Sequence, residues 1–327
     1  MFGDVPLREH NVESAEEEDD SNKTRIFILG DSTVKYYGDD NTIGGWGEYL
    51  VNYFNADSVK FINKAEGGRS TRSFINQGRL AEAMSEVRKG DYVFIQFGTN
   101  DQRTDTNAFM EHSVALGTPD ANGIYPTVPG VKSKTPDSIY NFYKDTDYPY
   151  AETFYSYNTG TFKWYLDQYI TAVRQAGGIP VLLTPACRIF FDSNGKITSH
   201  FGENDGYVTA VRQVAEEQKV ELIDMFNITK DLYESYGVFT TQGLHNIKED
   251  GTVDLTHYNK FGANLIAGKM ADAIKSLNLS GVSENFIASN KEVAKTDSLK
   301  SANLVIVGGK GATGDNEGDY RVDAAGF

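Results

Sequence analysis

Five short apolar runs, alternating with longer amphipathic stretches, constrain the fold of this chain more than any other feature. The runs span 25–29, 59–63, 91–97, 179–184 and 220–224; each is rich in Val, Ile or Phe and bounded by Gly, Asp or Pro. Helical periodicity occupies 46–54, 73–88, 161–176, 205–218 and 258–277. A strand that is apolar on both faces needs cover on both, which a parallel sheet between two layers of helices provides. Right-handed crossovers then favour a flavodoxin-like three-layer α/β/α domain with a five-stranded parallel sheet. Ligands of such sheets bind in the crevice beyond the carboxyl ends of the strands.

The length of 327 residues suits one large α/β domain or two small ones, and 39% hydrophobic residues supply a sizeable core. A formal net charge of −15 argues against nucleic acid and anionic membrane surfaces as partners. The single cysteine, Cys187, excludes an internal disulfide framework and reads as a small buried hydrophobe. No apolar run approaches the ~18 residues needed to cross a membrane. Residues 1–22 are acidic, carry no visible signal peptide and read as a disordered lead-in. The expected domain covers 23–280, and 281–327 reads as a tail or a linker to a further module.

One connection is far longer than the ~6 residues of an ordinary strand-to-helix loop. Residues 102–160 form an insertion after the third strand that holds Tyr125, Tyr140, Phe142, Tyr143, Tyr148, Tyr150, Phe154, Tyr155 and Tyr157. It fits an aromatic wall over a cleft, suited to stacking on sugar rings. It equally fits an ordered insertion whose tyrosines pack on each other.

Four stretches carry groups with chemistry. Gly30-Asp31-Ser32 places a hydroxyl just past the first strand, where it serves as a nucleophile if a base reaches it, or merely makes a turn and a helix cap. Asn63 to Ser70 follows the second strand, and its paired Gly67-Gly68 lets a backbone N–H approach a ligand closely. Phe97 to Asp101 follows the third strand and offers the Asn100 amide. Asp254-Leu255-Thr256-His257 precedes the last helix, where it reads as a base with its orienting carboxylate or as a helix entrance. Acyl transfer needs a nucleophile, a base, an orienter and oxyanion donors. The four stretches supply one set: Ser32, His257 and Asp254, with the Ser32 and Gly68 N–H groups and the Asn100 amide as the oxyanion hole.

At these residues the chain resembles the SGNH (GDSL-type) hydrolases, whose four blocks centre on Ser, Gly, Asn and His in this order. It is most similar to the rhamnogalacturonan acetylesterases, through Gly-Asp-Ser-Thr-Val (30–34), Gly-Trp-Gly-Glu-Tyr-Leu (45–50), Gly-Gly-Arg-Ser-Thr-Arg-Ser-Phe (67–74), Gly-Asp-Tyr-Val (90–93), Phe-Gly-Thr-Asn-Asp (97–101) and Asp-Leu-Thr-His (254–257). The resemblance covers roughly 25–101 and 160–277. It implies metal-independent, cofactor-independent removal of O-acetyl groups from plant cell-wall polysaccharide by an extracellular or cell-surface enzyme. Thr99 departs from the family pattern, which has His there, and the 102–160 insertion is longer than the family's. Trp46, Arg69, Thr99, Asp101, Tyr125 and Tyr143 are the expected sugar contacts.

Of the five histidines, His10 falls in the acidic lead-in, His112 and His200 in loops, and His245 close enough to the fourth stretch to line the cleft or to pack. No cluster has zinc spacing, and Asp315 to Asp319 lacks a calcium-loop pattern. A rhamnogalacturonan backbone is polyanionic, so its binding calls for a local basic patch, for which Lys35, Arg69, Arg72, Arg79 and Arg103 are available. Arg69 and Arg72 alternatively brace the loop, and a neutral substrate such as acetylated xylan needs no such patch. A non-catalytic glycan-binding module on the same scaffold, and an interaction module of a larger secreted chain, are the rivals from other classes.

Overall fold

A computed structural model describes residues 22–103, 111–112, 114–129, 160–197 and 205–287, with the backbone of 133–134, 156–157, 304–305 and 321–322. In chain order the elements are β1 (Thr24–Gly30), β2 (Ile43–Gly44), α1 (Trp46–Tyr49), β3 (Val59–Asn63), α2 (Thr71–Asn76), α3 (Arg79–Glu86), β4 (Tyr92–Gln96), α4 (Phe162–Gln175), β5 (Ile179–Leu183), α5 (Gly206–Gln218), β6 (Glu221–Ile223), α6 (Met225–Gln242), β7 (His245–Ile247), β8 (Val253–Asn259) and α7 (Lys260–Ser276).

The principal sheet has the order β3-β1-β4-β5-β6, and every pairing in it is parallel. Successive residues of a strand point to opposite faces, and β1 shows the consequence. Ile26 and Ile28 pack with α1, α6 and α7 residues such as Trp46, Tyr233 and Ile266. Phe27 and Leu29 pack on the other side with Phe74, Leu166 and Val211 of α2, α4 and α5. All four strand residues are fully buried, each contributing ~1.5–3 kcal/mol of transfer free energy. The fold is therefore the expected three-layer sandwich. Its strand order reverses between β1 and β4, the switch point where such sheets open a crevice.

Three elements differ from the sequence reading. The helix expected over 73–88 is two helices, because Gly78 adopts φ 72, a left-handed conformation that favours glycine. The helix α6 has no counterpart in the periodicity, since Gly237 interrupts it with φ 73. The stretch expected as the start of the last helix is a strand: β8 pairs antiparallel with β2 and β7 in a second, three-stranded sheet. The last helix starts at Lys260, capped by the Asn259 side chain.

Beyond α7 the chain stays packed on the body through Ile287. Phe286 bridges to Phe54, and the Ile287 N–H donates to the Tyr53 carbonyl at 2.9 Å. Among the described residues no helix is long and apolar enough to cross a membrane.

Candidate active site

Ser32 sits on a tight turn directly after β1. The Val34 and Lys35 N–H groups both donate to the Asp31 carbonyl at 3.1 Å, which closes the turn. A side chain at Gly30 would stand 2.7 Å from Val34 Cγ2, so the turn needs glycine there. A buried relay holds its other side. The Trp46 indole N–H donates to Gln96 Oε1 at 2.9 Å, Gln96 Nε2 to Thr33 Oγ1 at 3.0 Å, and Thr33 Oγ1 to Asp31 Oδ1 at 2.8 Å. Burial pushes the Asp31 carboxyl up, against the Thr33 hydrogen bonds and the field of His257. The Tyr37 hydroxyl donates to the Ser32 carbonyl at 3.0 Å and fixes the turn from the rim.

His257 arrives from β8, where the register with β7 shifts between Val253 and Tyr258. Its Nε2 lies 2.8 Å from Ser32 Oγ, and its Nδ1 lies 2.8 Å from Asp254 Oδ2. Asp254 Oδ1 accepts the Thr256 and His257 backbone N–H groups at 2.9 and 3.0 Å. Burial opposes ionisation of Asp254, but the His257 ring N–H, the imidazole charge and those two backbone donors outweigh it. The carboxyl is held below the usual range. Behind this pair, buried His245 donates Nδ1–H to the Asp254 carbonyl at 3.0 Å and accepts from the Tyr233 hydroxyl at 3.3 Å. Burial lowers the His245 pKa to about 4 and keeps the ring neutral. Of the two roles open to His245 in the sequence, packing is the one seen.

The second and third stretches close on the same turn. A Cβ built on Gly67 would lie 3.7 Å from Ser32 Cβ, which places the Gly67-Gly68 pair beside the hydroxyl. Gly68 adopts φ 75. Asn100 is buried, and its Nδ2 donates one hydrogen to the Arg69 carbonyl at 3.2 Å, leaving the second to face elsewhere. The four stretches expected to meet therefore do meet.

The expected sugar contacts need correction. Trp46 is 0% exposed and spends its indole N–H on Gln96, so it cannot stack on a sugar. Asp101 is also 0% exposed; its carboxylate takes the Thr71 and Gly98 N–H groups, capping α2, and burial raises its pKa to about 6. Thr99 is buried, with 3% of its surface exposed. Tyr125 is half-buried, with its hydroxyl at the start of α5 and its N–H on Gln213. Tyr143 lies outside the described residues, as do the tyrosines at 140, 148, 150 and 155 and the tail at 308–319.

The arginines serve the loop. Arg69 Nε donates to Gln77 Oε1 at 3.0 Å and its NH1 to the Gly67 carbonyl at 2.7 Å. Arg72 NH2 donates to the Glu111 and His112 carbonyls. Lys35 and Arg79 flank Glu66 at 2.7 and 3.6 Å. Sequence reasoning missed Tyr37 and His112. Tyr37 lies within five residues of Ser32, which is the only signal it gives; His112 gives none, because its partner is 44 residues away.

A hydroxyl, an imidazole and a carboxylate joined in one hydrogen-bonded line can pass the hydroxyl proton to the ring and hold the resulting charge. No cluster of three His, Cys, Asp or Glu side chains able to hold a metal ion occurs among the described residues.

Comparison with known proteins agrees with this geometry. Residues 28–264 match the GDSL-like Lipase/Acylhydrolase family. The chain is 31% identical to "Probable rhamnogalacturonan acetylesterase YesY" of Bacillus subtilis, over 78% of this chain and 94% of that one. It is 30% identical to the Bacillus subtilis rhamnogalacturonan acetylesterase RhgT, over 78% and 91% of the two chains. The crystal structure of Bacillus subtilis YxiM superposes with a TM-score of 0.55 at 26% identity, covering 79% of this chain and 58% of that one. By sequence match and by fold, this chain belongs to the GDSL-like lipase/acylhydrolase family and is a carboxylic ester hydrolase.

Proposed function

We propose that this chain is a serine carbohydrate acetylesterase that removes O-acetyl groups from rhamnogalacturonan-type pectic backbone. Ser32 Oγ attacks the acetyl carbonyl while His257 Nε2 takes its proton. The carbonyl oxygen, now anionic, is received by the Ser32 and Gly68 N–H groups and the Asn100 amide. Collapse expels the sugar hydroxyl, protonated by His257, and leaves an acetyl group on Ser32. Water, deprotonated by His257, then releases acetate. Asp254 keeps Nδ1 protonated, so that Nε2 is free to accept.

The observation that carries this reading is the pair of 2.8 Å contacts from His257 to Ser32 and Asp254. A non-catalytic glycan module has no use for that line. The substrate class rests on the two bacterial relatives and their printed activity. A neutral substrate such as acetylxylan is the second reading. It is favoured by the −15 net charge and by arginines spent on loop carbonyls.

Acetate release from acetylated rhamnogalacturonan oligosaccharides, acetylxylan, p-nitrophenyl acetate and a p-nitrophenyl long-chain ester separates these. Fastest turnover on the pectic fragments is expected. Cleavage of the long-chain ester alone would overturn the carbohydrate assignment, and preference for xylan would move it to the second reading.

A further inference from the structure

We propose that Arg69 and His112 are positioning residues, which together aim the Gly68 N–H at the oxygen of the bound ester. The inference rests on the reading of Gly68 as an oxyanion donor. Such a donor is effective only when it is held in place before the charge develops. Gly67-Gly68 is the least restrained dipeptide a chain can offer, and Gly68 stands at φ 75. Something other than the backbone has to hold it.

The peptide between Gly67 and Gly68 is planar and trans, so its carbonyl and its N–H point in opposite directions. Holding the oxygen from behind therefore aims the N–H forward. Arg69 NH1 donates to that oxygen, Gly67 O, at 2.7 Å. The guanidinium is itself buried and tied by Nε to Gln77 Oε1 at 3.0 Å. The next carbonyl, Gly68 O, accepts His112 Nε2–H at 2.9 Å. His112 is buried as well, and Arg72 NH2 grips its carbonyl at 2.6 Å. The third carbonyl in the row, Arg69 O, takes the Asn100 amide. Three successive carbonyls are thus captured by side-chain donors.

The N–H groups of the same loop complete the pattern. Glu66 N–H donates to the Gly30 carbonyl, Gly67 N–H to Glu66 Oε1, Arg69 N–H to the Glu66 carbonyl and Ser70 N–H to Ser73 Oγ. Gly68 N–H alone in this run makes no hydrogen bond among the described residues. Every neighbouring donor of the loop is spent within the protein, and that one is left for a ligand. Glu111 and His112 lie within the long insertion, and through them it is tied to the loop at Gly68 and to α2.

The test uses the intact chain and p-nitrophenyl acetate. Arg69→Gln should lower kcat about 10²-fold, near the cost of a misplaced or missing oxyanion donor. His112→Ala should lower it about tenfold, and His112→Gln, whose amide N–H can reach Gly68 O, should restore most of that loss. In all three, KM and the midpoint of the acidic limb of the kcat–pH profile should stay at wild-type values, because Ser32, His257 and Asp254 are untouched. A merely structural role would move KM, or the limb, together with kcat. The double variant should lose less than the product of the single losses, since both side chains act on one donor.

Wild-type kcat in Arg69→Gln and His112→Ala, with Ser32→Ala inactive, would overturn the proposal. Full turnover in Ser32→Ala would instead overturn the reading of Ser32 as nucleophile, and with it the oxyanion site, on which the proposal rests. If Arg69→Gln does not fold by circular dichroism, the His112→Ala and His112→Gln pair decides the same question.

Discussion

Replacing Asp254 by Asn should abolish most of the activity while leaving the fold in place, and the structure says why. Asp254 Oδ1 accepts two backbone N–H groups, from Thr256 and His257, and Oδ2 faces His257 Nδ1. Asn has one oxygen to cover both sides. If that oxygen turned to the imidazole, the NH2 group would face two backbone donors with no acceptor between them. The amide therefore keeps its oxygen on the backbone and presents NH2 to Nδ1. A facing donor forces Nδ1 to be the unprotonated nitrogen and puts the ring proton on Nε2. That nitrogen can then no longer accept from Ser32 Oγ, which stands 2.8 Å away.

Loss of the accepting tautomer in such a line typically costs ~10⁴ in turnover, about 5.5 kcal/mol of barrier. Both backbone contacts survive, so the urea midpoint should change little. The assay is steady-state hydrolysis of p-nitrophenyl acetate beside a urea melt. Turnover within a factor of ten of wild type (a barrier change of about 1.4 kcal/mol) would refute the tautomer argument. Loss of folding would refute the hydrogen-bond assignment.

Two further outcomes follow from buried groups and a third from the proposed mechanism. Glu111 is 6% exposed, and burial raises its pKa from the ordinary 4.5 to about 7, against the Asn76 amide and Arg72. The folded state thus holds this proton more tightly than the unfolded chain. Stability falls as pH rises from 4.5 to about 7, by roughly 3 kcal/mol from this group. Glu111→Gln should therefore gain on wild type steadily over that range in urea melts, and a gap independent of pH contradicts the argument. Trp46→Phe strands Gln96 Oε1 in the core and should cost ~1–3 kcal/mol, with activity per folded molecule retained. A large rise in KM for sugar esters would instead return Trp46 to the substrate. Prolonged dialysis against EDTA should leave the rate unchanged, and recovery of a lost rate on adding a divalent cation counts against the proposed mechanism.

The parallel sheet was legible because its strands are continuously apolar. All five expected strands lie within two residues of those observed, and the helices of both layers follow wherever a single apolar face repeats. The misses have local causes. Gly78 and Gly237 break helical stretches with left-handed backbone that periodicity does not register. Val253, Leu255 and Tyr258 do point inward from β8, but a register irregularity and the adjoining helix mask the alternation.

Within the site, Ser32, Gly68 and Asn100 stood out because each follows a strand in a stretch of special composition, and His257 because Asp254 stands three residues before it. The residues around them did not. Burial cannot be read from a motif, so Trp46 and Asp101, which lie inside blocks of family character, passed for surface contacts. His112 reaches Gly68 from the insertion, across a stretch of chain with no pattern linking the two. Long-range pairing of this kind is decided by the completed fold and leaves no periodic trace.

The most direct measurement is covalent capture. Incubation with a p-nitrophenyl alkylphosphonate, followed by proteolysis and mass spectrometry, should place one adduct on the peptide containing Ser32. Labelling should keep pace with loss of esterase activity and vanish in Ser32→Ala. Full inactivation with the adduct on another residue, or undiminished acetate release from Ser32→Ala, would contradict the account.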